Sequence, residues 1–369
     1  MITVFGSHVG EKEIESVADS MSKQWMGMGP KVAKFESNFK KRLGLENFLM
    51  VDSGSNALYM AITLLDLPKG TEVIVPTFTW VSCAQAVILA GLKPIFCDVD
   101  LVTMNVTKET VQEKITSNTS AIMVVHYAGL PVDLDRIKEL GFPIVEDAAH
   151  AVDSYYKGQA CGGIADVGIY SFDAVKNLAV GEGGGVTIKS NKDAIRAKKL
   201  RYCGIGKSGF EASTNGKKRW WEYQIEEAFI KMNPSDIAGA IAVEQLNRLD
   251  DLQQIRKDIW NYYQENLAKL SQIKTPVEAN EGDQHSYFTY CIRAPKRDEL
   301  AKHLLDNKIY TTLRYHPLHL NPLYSQMDVR LKNSELLNDD ALSIPLHPNM
   351  TMEDAKKVVS EIVSFYKGK

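Results

Sequence analysis

DVGIYSFDAVKNLAVGEGGGVTIKS, residues 166–190, reads as two apolar runs around a glycine-rich turn that carries one lysine. DVGIYSF (166–172) and GGVTIKS (184–190) are strand-like, being short and rich in β-branched and aromatic residues. Lys176 lies between Val175 and Leu178, just ahead of glycines whose small size lets backbone approach a ligand or another strand closely. Two readings of that lysine stand open: a solvated surface residue, the common fate of lysine, or a chemical group at a strand end. The surrounding chain has to separate them.

Upstream of this stretch, strand-like and helix-like segments alternate. ALYMAITLLDL (57–67) has helical spacing; EVIVP (72–76) is strand-like, WVSCAQAVILAG (80–91) helix-like and PIFCDVD (94–100) strand-like again. AIMVVHY (121–127), the helical DLDRIKELG (133–141) and PIVEDAAH (143–150) continue the pattern. Strands of this length separated by helices predict an α/β fold with a mostly parallel sheet. In open sheets of that kind ligands gather at the carboxyl ends of the strands. PTFTW, HYAG, EDAAH and SFDAVK each follow such a strand, so four strand ends point to one rim. QWMGMGPKVAKFESNFKKRLG is helix-like after its Gly-Pro turn. Beyond residue 234 the pattern turns to long helices, then FTYCIRA (288–294), a helix near DELAKHLLDN (298–307) and the loop RYHPLHLNPLY (314–324). This predicts a large domain over residues 1–250 and a smaller α+β domain over 251–369.

Hydrophobic residues make up 44% of the 369 and charged ones 24%, and the net charge is −3. That is a globular composition with no charge excess to draw nucleic acid or an anionic membrane. The five cysteines are scattered, without a CxxC pair, which predicts neither a disulfide framework nor a structural zinc site and fits a reducing cytoplasm. No basic start followed by an apolar run opens the chain, and no run approaches the roughly 18 apolar residues of a membrane span. The expectation is a soluble cytoplasmic protein.

His316 and His319 lie in a proline-containing loop with no helix to set both imidazoles on one face, so no metal site is expected. RYCGIGKSG (201–209) ends like a phosphate-binding Walker loop, but Arg201 stands where that motif needs glycine. DSGSNAL (52–58) lacks the second glycine of a hydrolase nucleophile elbow. It does offer small residues at a helix start, where free backbone N–H groups favour an anion such as phosphate, or where a serine simply caps the helix. Asp147 follows an apolar strand, where a carboxylate is costly without a partner. Trp80 supplies a flat apolar face on the same rim. Anion cradle, ring face, carboxylate and lysine together match the needs of pyridoxal 5'-phosphate, which takes a lysine as its covalent anchor, a carboxylate at its ring nitrogen and amides at its phosphate.

Taken together, MGMGPKVAKFE, SGSNAL, PTFTWVSC, PIFCDVD, VEDAAHA, YSFDAVKNLAVGEGGGV, KMNPSDIAGAIAVEQLNRLD and PLH resemble the DegT/DnrJ/EryC1/StrS family of pyridoxal-phosphate-dependent sugar aminotransferases, over most of the chain. The resemblance implies an aspartate-aminotransferase-like architecture (fold type I) with a seven-stranded sheet. It implies Lys176 as the Schiff-base lysine, Asp147 at the pyridine nitrogen, His150 near the ring hydroxyl and Trp80 stacked on the ring. Gly54, Ser55, Asn56 and Ser171 would bind the phosphate, joined by Asn233 from the other subunit of a homodimer with shared sites. Asp173 stands where many members carry His, and Pro234 and Asn56 also depart from the common pattern, without removing an assigned role. Position 176 separates aminotransferases from dehydratase relatives that carry His there. The function implied is transfer of an amino group, from L-glutamate, onto a nucleotide-linked keto sugar for surface polysaccharide or amino-sugar biosynthesis. A dehydratase or other lyase on the same fold is the alternative. The basic, aromatic segment SGFEASTNGKKRWWEYQ (208–224) makes Lys217, Lys218, Arg219 and Trp220 candidates for the substrate's diphosphate and base, or else a solvated loop; His319 is a further candidate to face substrate.

Overall fold

Secondary structure follows the apolar runs. The computed structural model describes residues 1–206, 219, 221–327 and 329–367; Lys217, Lys218 and Trp220 lie outside the described residues. Helices α1 (Glu11–Ser22) and α2 (Pro30–Leu43) precede β1 (Phe48–Val51) and α3 (Gly54–Leu64). Then follow β2 (Glu72–Pro76), α4 (Ser82–Leu89), β3 (Lys93–Cys97), α5 (Lys108–Gln112), β4 (Thr119–Val125), α6 (Leu134–Lys138) and β5 (Ile144–Asp147). A small hairpin, β6 (Tyr155–Tyr156) and β7 (Gln159–Ala160), leads into β8 (Val167–Ser171), β9 (Gly184–Ile188) and α7 (Asn191–Arg201). Two long helices, α8 (Asp236–Asn247) and α9 (Leu249–Leu267), are followed by β10 (Tyr290–Arg293), α10 (Arg297–Asp306), α11 (Lys332–Asp340), β11 (Ala341–Ile344) and α12 (Met352–Lys367).

Seven strands form one sheet in the order β1-β9-β8-β5-β4-β2-β3. The pairs β8–β5, β5–β4, β4–β2 and β2–β3 are parallel, and β9 runs antiparallel to both its neighbours. Strands covered on both faces have no polar side to expose, which is why β1, β5, β8 and β9 are buried along their whole length. Alternate side chains serve two cores. Phe48 and Met50 of β1 join Phe35 and Phe39 of α2 and Leu246 of α8 on one face, while Leu49 and Val51 join Leu58 and Ile62 of α3 and Val87 of α4 on the other.

A third core lies between α9, α10, α12 and the antiparallel pair β10–β11, with Trp260, Tyr263, Tyr290 and Leu300 at its centre. α9 begins at Leu249, beside the division expected near residue 250. The first residues of the chain depart from it: Ile2 bridges Ile309 and packs on the third core. Since β1, β2, β4, β5 and β8 run in one direction, their carboxyl ends share one edge, facing the segment 310–315 of the C-terminal part across a cavity of about 460 Å³.

Candidate active site

At the end of β1, Ser53 caps α3 by accepting from the Asn56 amide at 3.2 Å. Its carbonyl takes the Ala57 amide at 3.0 Å. The amides of Gly54 and Ser55 are left without a protein acceptor among the described residues, and both residues line the cavity. The first turn of this helix lies hard against the end of β8: a Cβ on Gly54 would stand 2.8 Å from Ser171 Cβ and 2.9 Å from its Oγ. Only glycine lets two amides and the Ser171 hydroxyl converge, and together they form an anion cradle at the positive end of the helix dipole.

At the end of β5, the buried Asp147 carboxylate accepts from the Cys83 thiol at 3.1 Å and from the Ala149 amide at 2.9 Å. It has no salt bridge among the described residues. Asp147 pairs in register with Ile169 of β8, which lines the cavity together with Ala149. His150 stacks on Phe288 with ring centroids 4.0 Å apart, and its Nε2 meets the Tyr315 hydroxyl at 3.0 Å. Burial, then the cations Lys176 and Arg314, push its pKa well below the usual histidine range, so the imidazole is neutral. Its buried Nδ1 has no partner among the described residues.

Beyond β8 the chain turns through Asp173, whose carboxylate accepts from the Val175 amide, and sets Lys176 into the cavity wall. The Lys176 ammonium has no salt bridge among the described residues and lies 4.8 Å from the centroid of the Phe288 ring. Burial, then the Arg314 charge, pull its pKa down to about 8, against the opposing influence of Asp147 and Asp173. Trp80 stands at the mouth, 55% exposed, with its ring 5.6 Å from that of Tyr315.

Asp147 and His150 are buried and outside the lining of the cavity, and four more of the predicted positions fall elsewhere. The Asn56 side chain turns back to donate to Asp52 at 2.8 Å and lines a neighbouring depression of about 220 Å³ rather than the main cavity. Asn233 is outside the lining of its own chain's cavity, and its buried Oδ1 has no partner among the described residues. Arg219 pairs with Glu222 at 3.0 Å in an exposed segment. His319, expected to face substrate, is instead buried between Thr77 and Glu335, with Nδ1 2.8 Å from the Thr77 hydroxyl and Nε2 3.3 Å from the carboxylate. It ties the C-terminal part to the end of β2 and does not line the cavity.

Sequence reasoning passed over Cys83, Phe288, Arg314 and Tyr315. The first sits inside a helix-like run as one more small apolar residue. The others come from segments distant in sequence, and in RYHPLHLNPLY the two histidines drew the attention that belongs to the arginine and tyrosine before them.

Over 98% of its length the chain is 33% identical to the dTDP-4-dehydro-2,3,6-trideoxy-D-glucose 4-aminotransferase of Saccharopolyspora spinosa, of which it covers 96%. The fold matches the aminotransferase TlmJ from Streptoalloteichus hindustanus with a TM-score of 0.93 at 34% identity, covering 100% of this chain and 99% of that one. It matches the sugar aminotransferase Spr1654 from Streptococcus pneumoniae, in its PLP form, with a TM-score of 0.90 at 26% identity, covering 99% and 98%. Residues 7–363 match the model of the DegT/DnrJ/EryC1/StrS aminotransferase family, and with a cavity of this make-up at its strand ends the chain belongs to that family.

Proposed function

We propose that this aminotransferase moves an amino group from L-glutamate onto the keto group of a nucleotide-linked deoxy sugar, as a step of surface-polysaccharide or other amino-sugar biosynthesis. The observation that carries the substrate class is the full-length relation to the S. spinosa enzyme, whose name specifies a dTDP-linked 4-dehydro sugar. The cofactor is pyridoxal 5'-phosphate, and the residues present fit it. A cradle too tight for a Cβ at Gly54 suits a phosphate, and neither the buried Asp147 nor Lys176 has a salt bridge among the described residues.

When bound, the cofactor supplies a protonated pyridine ring that acts as an electron sink and carries the amino group between two carbonyl compounds. In this reading Gly54, Ser55 and Ser171 hold the phosphate. Asp147, kept in place by Cys83 and Ala149, holds a proton on the ring nitrogen. Trp80 would cover the ring and His150 would stand near its hydroxyl. Lys176 would anchor the cofactor, and its Nζ would take and return a proton. An amine with a pKa pulled down to about 8 is suited to both directions near neutral pH.

We further read the protein as a cytoplasmic homodimer whose partner subunit completes each site through Asn233. The exposed Trp25, Met26, Tyr223 and Ile225 support the dimer; five free thiols support the compartment.

The test is spectroscopic. L-glutamate alone should bleach the visible absorbance of the bound cofactor, and a 4-keto nucleotide sugar should restore it, while Lys176→Ala responds to neither. Turnover of the sugar with ammonia or water released and no amino donor required would place the enzyme among lyases instead.

A further inference from the structure

Arg314 lines the cavity, is 7% exposed, and has no carboxylate within ion-pair distance among the described residues. Its guanidinium rests against two rings, 4.9 Å from the centroid of Phe5 and 4.8 Å from that of Phe288. Lys176 Nζ lies 4.8 Å from the same Phe288 ring. Two cations therefore share one aromatic ring. Ring faces ease the burial of a cation, but they fill none of the five N–H donors of a guanidinium. Its polar partner is the neighbouring Tyr315 hydroxyl. A buried charge left in that condition is costly, and here it also works against the charge on Lys176 and His150. The acids of the neighbourhood do not relieve it: Asp147 is engaged by Cys83 and Ala149, and Asp173 by the turn it closes.

We propose that Arg314 binds the α-carboxylate of the amino donor, making it the residue that admits α-amino acids to this site. The inference rests on the aminotransferase reading above. A guanidinium fork matches a planar carboxylate in two parallel hydrogen bonds, and an α-carboxylate is one carbon from the amino group that must reach Lys176. Two other anions enter the reaction, and each fits less well. The cofactor phosphate has its cradle at the start of α3. The diphosphate of a nucleotide sugar is separated from its keto carbon by sugar ring atoms and is too bulky for a buried fork. The sugar has no carboxylate, so one site serves two dissimilar substrates by using Arg314 for only one of them.

Arg314→Gln and Arg314→Met holoenzymes test this, the methionine variant keeping an unbranched chain against Phe5 and Phe288. Rapid mixing with L-glutamate alone reads the first half-reaction, and mixing the amine-loaded form with keto sugar reads the second. Both variants should need at least about 100-fold more L-glutamate for half-maximal bleaching, while the keto sugar requirement shifts by less than about tenfold. Titration calorimetry with glutarate, a dicarboxylate without an amine, gives a readout independent of turnover: heat of binding in the wild type, lost in both variants. Equal losses in the two half-reactions would assign Arg314 to the diphosphate and overturn the proposal, as would release of the cofactor on gel filtration. Variants as responsive to glutamate as the wild type would overturn it alone. A wild type indifferent to every amino acid would sink the aminotransferase reading and this inference with it.

Discussion

With its amine buried beside Arg314 and given no salt bridge among the described residues, Lys176 has a pKa pulled down to about 8, by burial first and by that cation second. An unfolded lysine titrates near 10.4. Between these values the unfolded apoenzyme binds the proton and the folded one does not, so folding stability rises with pH across that window. Below it the buried charge is a net burden. Lys176→Met, which keeps the length and removes the charge, should therefore raise the melting temperature of the apoenzyme at pH 7 by a few degrees, on the order of 2 kcal/mol, while abolishing turnover. The advantage should shrink as the pH is raised from 8 to about 10. Paired thermal melts at three pH values check this. A variant less stable than wild type at pH 7 would mean that the ammonium is satisfied by contacts the geometry does not reveal. At this scale the sequence was informative about kinds of residue and less so about contacts. A lone lysine and aspartate after apolar strands were visible, because burying such groups demands a reason. Cys83 against Asp147, or Arg314 over Phe288, depends on segments brought together only by the fold.

At the scale of elements, most strands were legible because apolar runs between helix-like segments have few alternatives. Others were not, β1 and α1 among them. β1 is four residues, FLMV, buried on both faces, with no alternation to mark it. α1 buries Glu13, Ser16 and Ser20 and exposes Ile14 and Met21, the reverse of an ordinary amphipathic helix. Glu13 can be buried because Gly10 N–H, Gln245 and Arg248 surround its carboxylate at 2.8, 2.7 and 3.3 Å. The glycine run, by contrast, was read as allowing close backbone approach, and only its target was hidden. Gly184 opens β9 between the ends of β1 and β8, and a Cβ there would stand 2.4 Å from the Ser53 carbonyl carbon and 2.6 Å from the Gly54 nitrogen. Those are backbone atoms and cannot swing aside. Gly184→Ala should lower stability by about 1–3 kcal/mol and displace the first turn of α3, so that cofactor is lost on gel filtration. Melting temperature and cofactor content per chain measure the two effects. Normal cofactor retention would show that the cradle tolerates the shift.

At the scale of the molecule, the outward apolar residues of α1 and of the segment after it acquire a meaning. Ile14, Met21, Trp25 and Met26 are more than half exposed, as are Trp221, Tyr223, Ile225 and Ile230 ahead of Asn233. Exposed apolar surface on this scale calls for a cover, and a second copy of the chain is the cover the proposed dimer supplies. A two-fold dimer makes every contact reciprocal, so an Asn233 that reaches across must do so twice, each subunit giving to its partner what it lacks itself. The arrangement has a consequence that a monomer, or an Asn233 acting within its own chain, cannot imitate. Lys176→Met and Asn233→Asp homodimers should each be nearly inactive, the second because a carboxylate would face the cofactor phosphate. When the two variants are unfolded together and refolded, half the dimers should be mixed. Each mixed dimer then holds one site with wild-type Lys176 from one chain and wild-type Asn233 from the other. Activity should return to roughly a quarter of the wild-type value, on a statistical mixture of symmetric dimers. If Asn233 serves its own chain, every site in the mixture carries one lesion and no activity returns.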